Sequence, residues 1–151
     1  MFFRVKHIFS MLLVIIMIAG SCSQPGNEFP QGAWQLVQVF SVSGNKVVKY
    51  FPASLPGSDI KMWSEGHFMF VGRFQNDTSY TDNFGGGRYT LDGNRYEEEI
   101  IYHADKGYVG AKVKMLLEQR NDTLIQIFPV NEIGEPNKLQ HFIEKYVRLD
   151  Q

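Results

Sequence analysis

The sequence predicts an all-β domain, an antiparallel up-and-down meander of about eight to ten strands. Short runs of alternating apolar and polar residues recur along the chain, separated by turn residues about every 8–12 positions. No run keeps the period of an amphipathic helix. Asp92-Gly93-Asn94 lies between two alternating runs, which is a strong short-range signal for a β-hairpin. The meander is expected either to close as a barrel or to stay open as a sandwich.

The hairpin around residues 92–94 is predicted to bury one aromatic face. A two-residue turn at Asp92-Gly93 would place Tyr89 opposite Tyr96, whereas a turn at Gly93-Asn94 would place it opposite Glu98. In both registers the same residues share a face, because side chains alternate with a period of two. These residues are Tyr89, Leu91, Tyr96, Glu98, Ile100 and Tyr102. The opposite face carries Arg88, Thr90, Arg95, Glu97, Glu99 and Ile101. Glu98 is therefore expected to be a buried carboxylate, which needs a partner such as Arg73, Arg148 or a tyrosine hydroxyl.

The other strands are predicted from the same alternation. The first strand is expected over residues 34–40 and the last over residues 139–149, whereas the polar, glycine-rich residues 75–87 read as the longest loop. A two-residue turn at Asn121-Asp122 would mix polar and apolar partners, so a bulged turn over residues 120–122 is favoured. The expected shared faces are Trp34, Leu36, Gln38 and Phe40; Val113, Met115 and Leu117 with Thr123, Ile125 and Ile127; and Phe142, Glu144, Tyr146 and Arg148.

Length and composition exclude several classes of protein. A chain of 151 residues can form one domain with a substantial core. An aromatic content of 14% argues against disorder, and a single cysteine excludes a disulfide scaffold. The net charge is −1 and there is no run of lysine and arginine, so the electrostatic footprint of a nucleic-acid-binding protein is missing.

The first part of the chain reads as an export signal. Arg4 and Lys6 precede an apolar run over residues 8–19, which is shorter than the roughly 20 residues that span a bilayer. Small residues directly before Cys22 resemble the lipobox of bacterial lipoproteins, in which the cysteine is acylated after cleavage. We expect a signal peptide at residues 1–21, a lipidated tether at residues 22–31 and a barrel domain at residues 32–150. Plain secretion and a short membrane anchor are the alternatives for this segment.

Four segments together resemble a known group of domains. They are Gly32-Ala33-Trp34, Lys61-Met62-Trp63 with Gly66-His67-Phe68, residues 86–98, and Glu144-Lys145-Tyr146-Val147-Arg148. This combination resembles the lipocalin-like (calycin) lipoprotein domains of Bacteroidota, whose function is largely unassigned. The resemblance implies a barrel of about eight strands that can hold one small ligand. It also implies that Arg148 packs over Trp34 at the closed end of the barrel, and Tyr146 stands where this group often has tryptophan.

These observations lead to a ranked set of functional hypotheses. The first is a lipid-anchored barrel, facing the periplasm or alternatively at the cell surface or secreted, that binds a small apolar or amphipathic molecule. Its candidate ligand-binding residues are Glu98, Tyr89, Tyr96, Tyr102, Trp34, Phe142, Tyr146, Arg148 and His67. The second is an interaction module with a barrel filled by side chains, acting through the loop at residues 75–87. A cavity larger than about 300 Å³ would distinguish the first from the second.

Catalysis ranks third, as acid–base chemistry by Glu98 with His67 or Tyr102. The sequence lacks a nucleophile elbow and a phosphate-binding loop. Glu99 and His103 are expected to share a face, but no third metal ligand stands at a usual spacing. We therefore expect neither enzymatic activity nor a cofactor or bound metal, and the sequence leaves the oligomeric state open.

Overall fold

The computed structural model describes residues 30–149, which fold into antiparallel β-strands with one short 3₁₀ turn at Lys106–Tyr108. The strands are β1 (Gly32–Ser43), β2 (Lys46–Phe51), β3 (Gly57–Ser64), β4 (His67–Asn76), β5 (Ser79–Asp92), β6 (Arg95–His103), β7 (Lys112–Arg120), β8 (Thr123–Phe128) and β9 (His141–Arg148). Within this described part, no helix is long and apolar enough to cross a membrane. The predicted signal peptide, Cys22 and most of the tether lie outside the described residues.

Strand β1 closes the sheet into a barrel. Each strand from β3 to β9 pairs with its neighbour in the chain, and β1 pairs with β3 at one edge and with β9 at the other. Its second half leaves β3 and pairs with β2, which is an extra strand outside the closed ring of eight. The predicted all-β meander is confirmed, and its closed form fits a lipocalin-like barrel.

Large side chains fill one end of the barrel, which we call the floor. Trp34, Trp63 and Tyr96 are almost completely buried there, together with Leu117 and Leu124. The Arg148 guanidinium lies 4.3 Å from the centre of the Trp34 ring, and the two residues are paired across β1 and β9. The expected packing of Arg148 over Trp34 is confirmed, and a cation–π contact of this kind contributes about 0.5–2 kcal/mol.

The hairpin formed by β5 and β6 uses the second of the two registers. Its turn is Gly93-Asn94, with Gly93 at a φ of 60°, so Leu91 faces Tyr96 and Tyr89 faces Glu98. The expected burial of Glu98 is confirmed, because only 4% of the residue is exposed.

The predicted inward face of this hairpin is wrong at Tyr102. The register shifts between Gly86 and Gly87, and the extra residue on β6 turns Tyr102 to the outside, where it is 71% exposed. His103 takes the inward position instead. Gly87 permits this bulge, because a Cβ atom there would lie 1.9 Å from the carbonyl oxygen of Glu99.

The predicted inward face of β1 is wrong in its second half, because this strand contains a second bulge. The pairing with β9 shifts between Leu36 and Gln38, so the alternation reverses after that point. Val39 faces the barrel interior, and Phe40 faces outward beneath the Lys145 ammonium at 5.3 Å. The predicted grouping of Phe40 with Trp34 and Leu36 is therefore wrong.

The predicted loop at residues 75–87 is also wrong, because these residues belong to the β4–β5 hairpin. Only Asp77 and Thr78 form the turn, with Asp77 at a φ of 51°. Gly85 makes room for the inward-facing Phe70, since a Cβ atom on Gly85 would lie 2.6 Å from the Phe70 ring.

The turn between β7 and β8 has two residues rather than the three favoured above. Arg120 pairs with Thr123 around Asn121-Asp122, which places Leu124 and Gln126 inside and Ile125 outside. This register pairs the apolar Leu117 with the polar Gln126. The Gln126 amide forms hydrogen bonds with Lys61 and Glu144 inside the barrel.

Candidate functional site

The barrel is hollow above its floor, with a cavity of about 570 Å³. Aliphatic and aromatic side chains form most of its wall: Leu36, Val39, Phe70, Phe74, Ile100, Val113, Met115, Phe128 and Phe142. Tyr50 and Tyr108 line it as well and are about half exposed, so the cavity opens to solvent at the end opposite the floor. Its volume exceeds the value that distinguishes a ligand cup from a filled barrel.

The hollow end arises from how β1 changes partners. β1 pairs with β3 only at residues 32–35, and beyond this point its edge is taken by β2. The upper part of β3, which includes Asp59, therefore separates from β1. The inward position opposite Asp59 on β4 is Gly72, where a Cβ atom would lie 2.5 Å from the Asp59 carboxylate. The missing side chain lets Asn83 on β5 reach across β4 and donate a hydrogen bond to Asp59 at 3.0 Å.

A buried ion pair lies between the floor and the cavity. Lys61 Nζ is 2.5 Å from Glu98 Oε1, and both side chains are 5% exposed. Lys61 also donates to Gln126 Oε1 at 3.1 Å. Glu98 accepts a second hydrogen bond from the Tyr96 hydroxyl at 2.7 Å, and Tyr96 in turn accepts one from the Trp63 indole. The pair is thus anchored to the floor by aromatic side chains.

The network extends across the barrel to β9. Gln126 Nε2 donates to Glu144 Oε2 at 3.3 Å, and the Tyr146 hydroxyl donates to the same oxygen at 2.6 Å. The base of the cavity therefore combines Lys61 with three carboxyl groups, those of Asp59, Glu98 and Glu144. Lys61 is the sole lysine or arginine that lines this cavity within residues 30–149.

Burial shifts the pKa values of this group. Burial raises the pKa of Asp59 from 3.8 to about 6, although the hydrogen bond from Asn83 and the charge of Lys61 oppose the shift. Burial also raises the pKa of Glu144, and the charges of Asp59 and Glu98 add to this effect while Lys61 and Tyr146 oppose it. For Tyr96 and Tyr146, burial and the neighbouring carboxylates raise the pKa well above 10.0, so both hydroxyls remain donors at neutral pH.

Only some of the predicted ligand-binding residues reach the cavity. Glu98, Phe142 and Tyr146 line it. Trp34, Tyr89, Tyr96 and Arg148 lie in the floor beneath it, where the Tyr89 and Tyr96 rings are 5.4 Å apart. His67 and Tyr102 are exposed on the outer surface, so the prediction that they line the barrel is wrong.

Sequence reasoning missed the cation that pairs with Glu98. Of the expected partners, a tyrosine hydroxyl is confirmed, but Arg73 pairs with Asp82 on the outside and Arg148 covers Trp34. Lys61 was overlooked because the polarity of β3 is inverted. Asp59 and Lys61 face inward while the apolar Ile60 and Met62 face outward. The sequence signal that could have found Lys61 is its position two residues before Trp63, because this spacing places both side chains on the same face of β3.

The structure also separates the groups proposed for metal binding and catalysis. Glu99 points outward and His103 lines the cavity, where its ring contacts those of Phe70 and Tyr108 at 5.6 and 4.7 Å. The expectation that Glu99 and His103 share a face is wrong, because the bulge at Gly87 reverses the alternation. Residues 30–149 contain no cluster of three metal-ligating side chains. Neither His67 nor Tyr102 is placed to act with Glu98, since both are on the exterior.

No protein-family model matches this chain, and a comparison with curated proteins also gives no match. The fold and the cavity define the class: a closed antiparallel β-barrel whose hollow end opens to solvent. Its distinguishing feature is a charged base beneath an apolar wall.

Breaking the buried ion pair should destabilise the fold strongly. We expect Lys61→Met and Glu98→Gln each to lower the free energy of unfolding by about 3–5 kcal/mol, because each strands a buried partner. The double variant should lose less than the sum of the two losses. Urea titration of the four proteins measures this coupling. The exposed pair Arg73 and Asp82 provides the matched control, with little change expected for Arg73→Met and Asp82→Asn. Additive losses for Lys61 and Glu98 would show that the pair does not act as a unit.

Asp59 should make stability depend on pH. Its folded-state pKa of about 6 lies above the ordinary value of 3.8, so folding favours the protonated form. The resulting stabilisation is complete below the ordinary value and is lost as the pH rises through about 6. Relative to Asp59→Asn, the native protein should gain about 1–2 kcal/mol between about pH 7.5 and pH 5. Glu144 is present in both proteins, so its own titration cancels to first order. Parallel stability curves for the two proteins would contradict a raised Asp59 pKa.

Proposed function

We propose that this protein is a binding protein that holds one small amphipathic molecule in its barrel. The observation that carries the proposal is the cavity of about 570 Å³, which lies within the range of about 300–1,000 Å³ typical of small-molecule sites. An apolar wall with a few convergent polar groups at its base is the usual composition of such sites.

The polar base supports an amphipathic ligand over a purely apolar one. A hydrocarbon that fills the cavity would cover carboxyl groups without replacing their contacts with water, which is unfavourable. A molecule with a polar end at the Lys61–Glu98–Glu144 network and an apolar body along Ile100 and Val113 would match both parts of the surface.

The filled-barrel alternative has less support. It required a barrel without a ligand-sized cavity and a functional loop at residues 75–87. The cavity is present, and those residues form the β4–β5 hairpin instead of a loop.

We also propose that Cys22 carries a lipid anchor and that the barrel faces the periplasm. The basic, apolar and small-residue pattern that precedes the cysteine supports the lipid anchor. Acylation with more than one chain gives stable membrane attachment. The polar residues after Cys22 would then tether the barrel near the membrane surface, where amphipathic molecules concentrate.

Filling part of the cavity should weaken ligand binding. Val113 projects into the cavity from β7, where it pairs with Glu98, and Val113→Trp would occupy part of the space. The neutral fluorophore N-phenyl-1-naphthylamine should bind the native protein with enhanced emission. We expect Val113→Trp to weaken this binding about tenfold or more, a loss of about 1.4 kcal/mol.

Val71→Trp is the matched control, because Val71 lies on the outer face of β4 and is 54% exposed. It should bind the fluorophore like the native protein. Undiminished binding by a folded Val113→Trp variant would place the binding surface outside the cavity and contradict the proposal.

A further inference from the structure

We propose that the polar end of the ligand is a protonated amine, held between the carboxylates of Asp59 and Glu144 at the base of the cavity. This inference rests on the proposed binding function and specifies the chemical class of ligand for the same cavity.

The first observation is that the charges at the base do not balance. Lys61 is committed to Glu98 at 2.5 Å and to Gln126 at 3.1 Å. Asp59 and Glu144 receive only neutral donors in the hydrogen-bond network, from Asn83 to Asp59 and from Gln126 and Tyr146 to Glu144. The cavity wall supplies no other lysine or arginine within residues 30–149. The base therefore has an excess of carboxyl groups over cations.

The second observation is that carboxylate oxygens remain unused and face the hollow space. Asp59 is 5% exposed, and its single side-chain hydrogen bond ends at Oδ2, so Oδ1 has no donor among residues 30–149. Both hydrogen bonds to Glu144 end at Oε2, which leaves Oε1 without a donor in the same part of the chain. No fully enclosed polar side-chain atom of the described residues lacks a partner, so these oxygens are reached from the cavity and are not sealed among apolar side chains.

A cation satisfies this arrangement better than an anion or a neutral group. An ammonium group offers three donors and a positive charge, and hydrogen bonds between ionised groups are about twice as strong as those between neutral ones. A ligand carboxylate would instead join three carboxyl groups around one lysine. The raised pKa values of Asp59 and Glu144 are consistent with this, because burial raises both despite the charge of Lys61, and the charge of Asp59 adds to the shift of Glu144.

The apolar wall determines the other end of the ligand. The space above Asp59 and Glu144 is bounded by Val39, Phe74 and Phe142 and opens beside Tyr108. A single alkyl chain or a compact ring system attached to the amine would follow this wall toward solvent. The ligand class is thus a cationic amphiphile with a primary or secondary amine.

Three probes with the same chain and different head groups test this inference: decylamine, decanol and decanoate. Each is titrated against the protein with bound N-phenyl-1-naphthylamine at about pH 7.5, where a primary amine is protonated and a carboxylic acid is ionised. We expect decylamine to bind at least tenfold more tightly than decanol, and decanol more tightly than decanoate. Equal binding of decylamine and decanol, or preference for decanoate, would overturn the inference while leaving the cavity as a binding site. Failure of all three probes and of the fluorophore would overturn the proposed function as well.

Two isosteric variants assign the preference to named groups. Asp59→Asn and Glu144→Gln remove charge with little change in shape, and the double variant should bind decylamine no more tightly than decanol. Asp82→Asn is the matched control, because this carboxylate pairs with Arg73 on the outer surface and should leave the preference unchanged. Far-UV circular dichroism verifies that each variant is folded. A double variant that keeps the full preference for decylamine would contradict the assignment to Asp59 and Glu144.

Discussion

The ion pair between Lys61 and Glu98 lies at the boundary between the packed floor of the barrel and its hollow end. Below it, Trp63 and Tyr96 link the pair to a densely packed floor. Above it, the side chains leave a cavity of about 570 Å³. A buried pair of this kind contributes little stability compared with well-packed apolar residues, but it is costly to break. Its position at the boundary requires β3 and β6 to keep a single register, because a shift of one residue would turn either charge to the outside.

The hollow end is less stable than a fully packed barrel end would be. Apolar side chains of greater volume at the base would fill the space and remove the cost of burying carboxyl groups. The chain instead places Asp59, Gln126 and Glu144 inside, and it uses Gly72 and Gly85 where larger residues would obstruct neighbouring side chains. An apolar cavity with a few polar groups at its base and an opening at one end is typical of small-molecule sites.

Regular alternation in the sequence predicted much of this fold, and irregular alternation explains what it missed. The hairpin around residues 92–94 and the burial of Glu98 lie in segments with uninterrupted alternation, although alternation left the choice between its two registers open. The contact of Arg148 with Trp34 followed from the resemblance to lipocalin-like domains. Tyr102 and Phe40 were placed on the wrong side because a bulge precedes each of them, and a bulge leaves no distinct mark in the sequence. Lys61 was missed because charged residues usually face solvent, whereas this lysine faces the barrel interior. The hollow itself depends on how strands separate in three dimensions, which periodicity does not report.

The central claim is that the cavity carries a small molecule, and native mass spectrometry of gently purified protein tests it most directly. The mass of the folded protein should exceed the covalent mass, measured after denaturation of the same sample, by that of one small molecule. Comparison within one sample removes any covalent lipid from the difference. The molecule should appear in the organic extract of the denatured protein at a stoichiometry near one. Equal native and denatured masses, persisting after incubation with a total lipid extract of the producing cells, would contradict the claim.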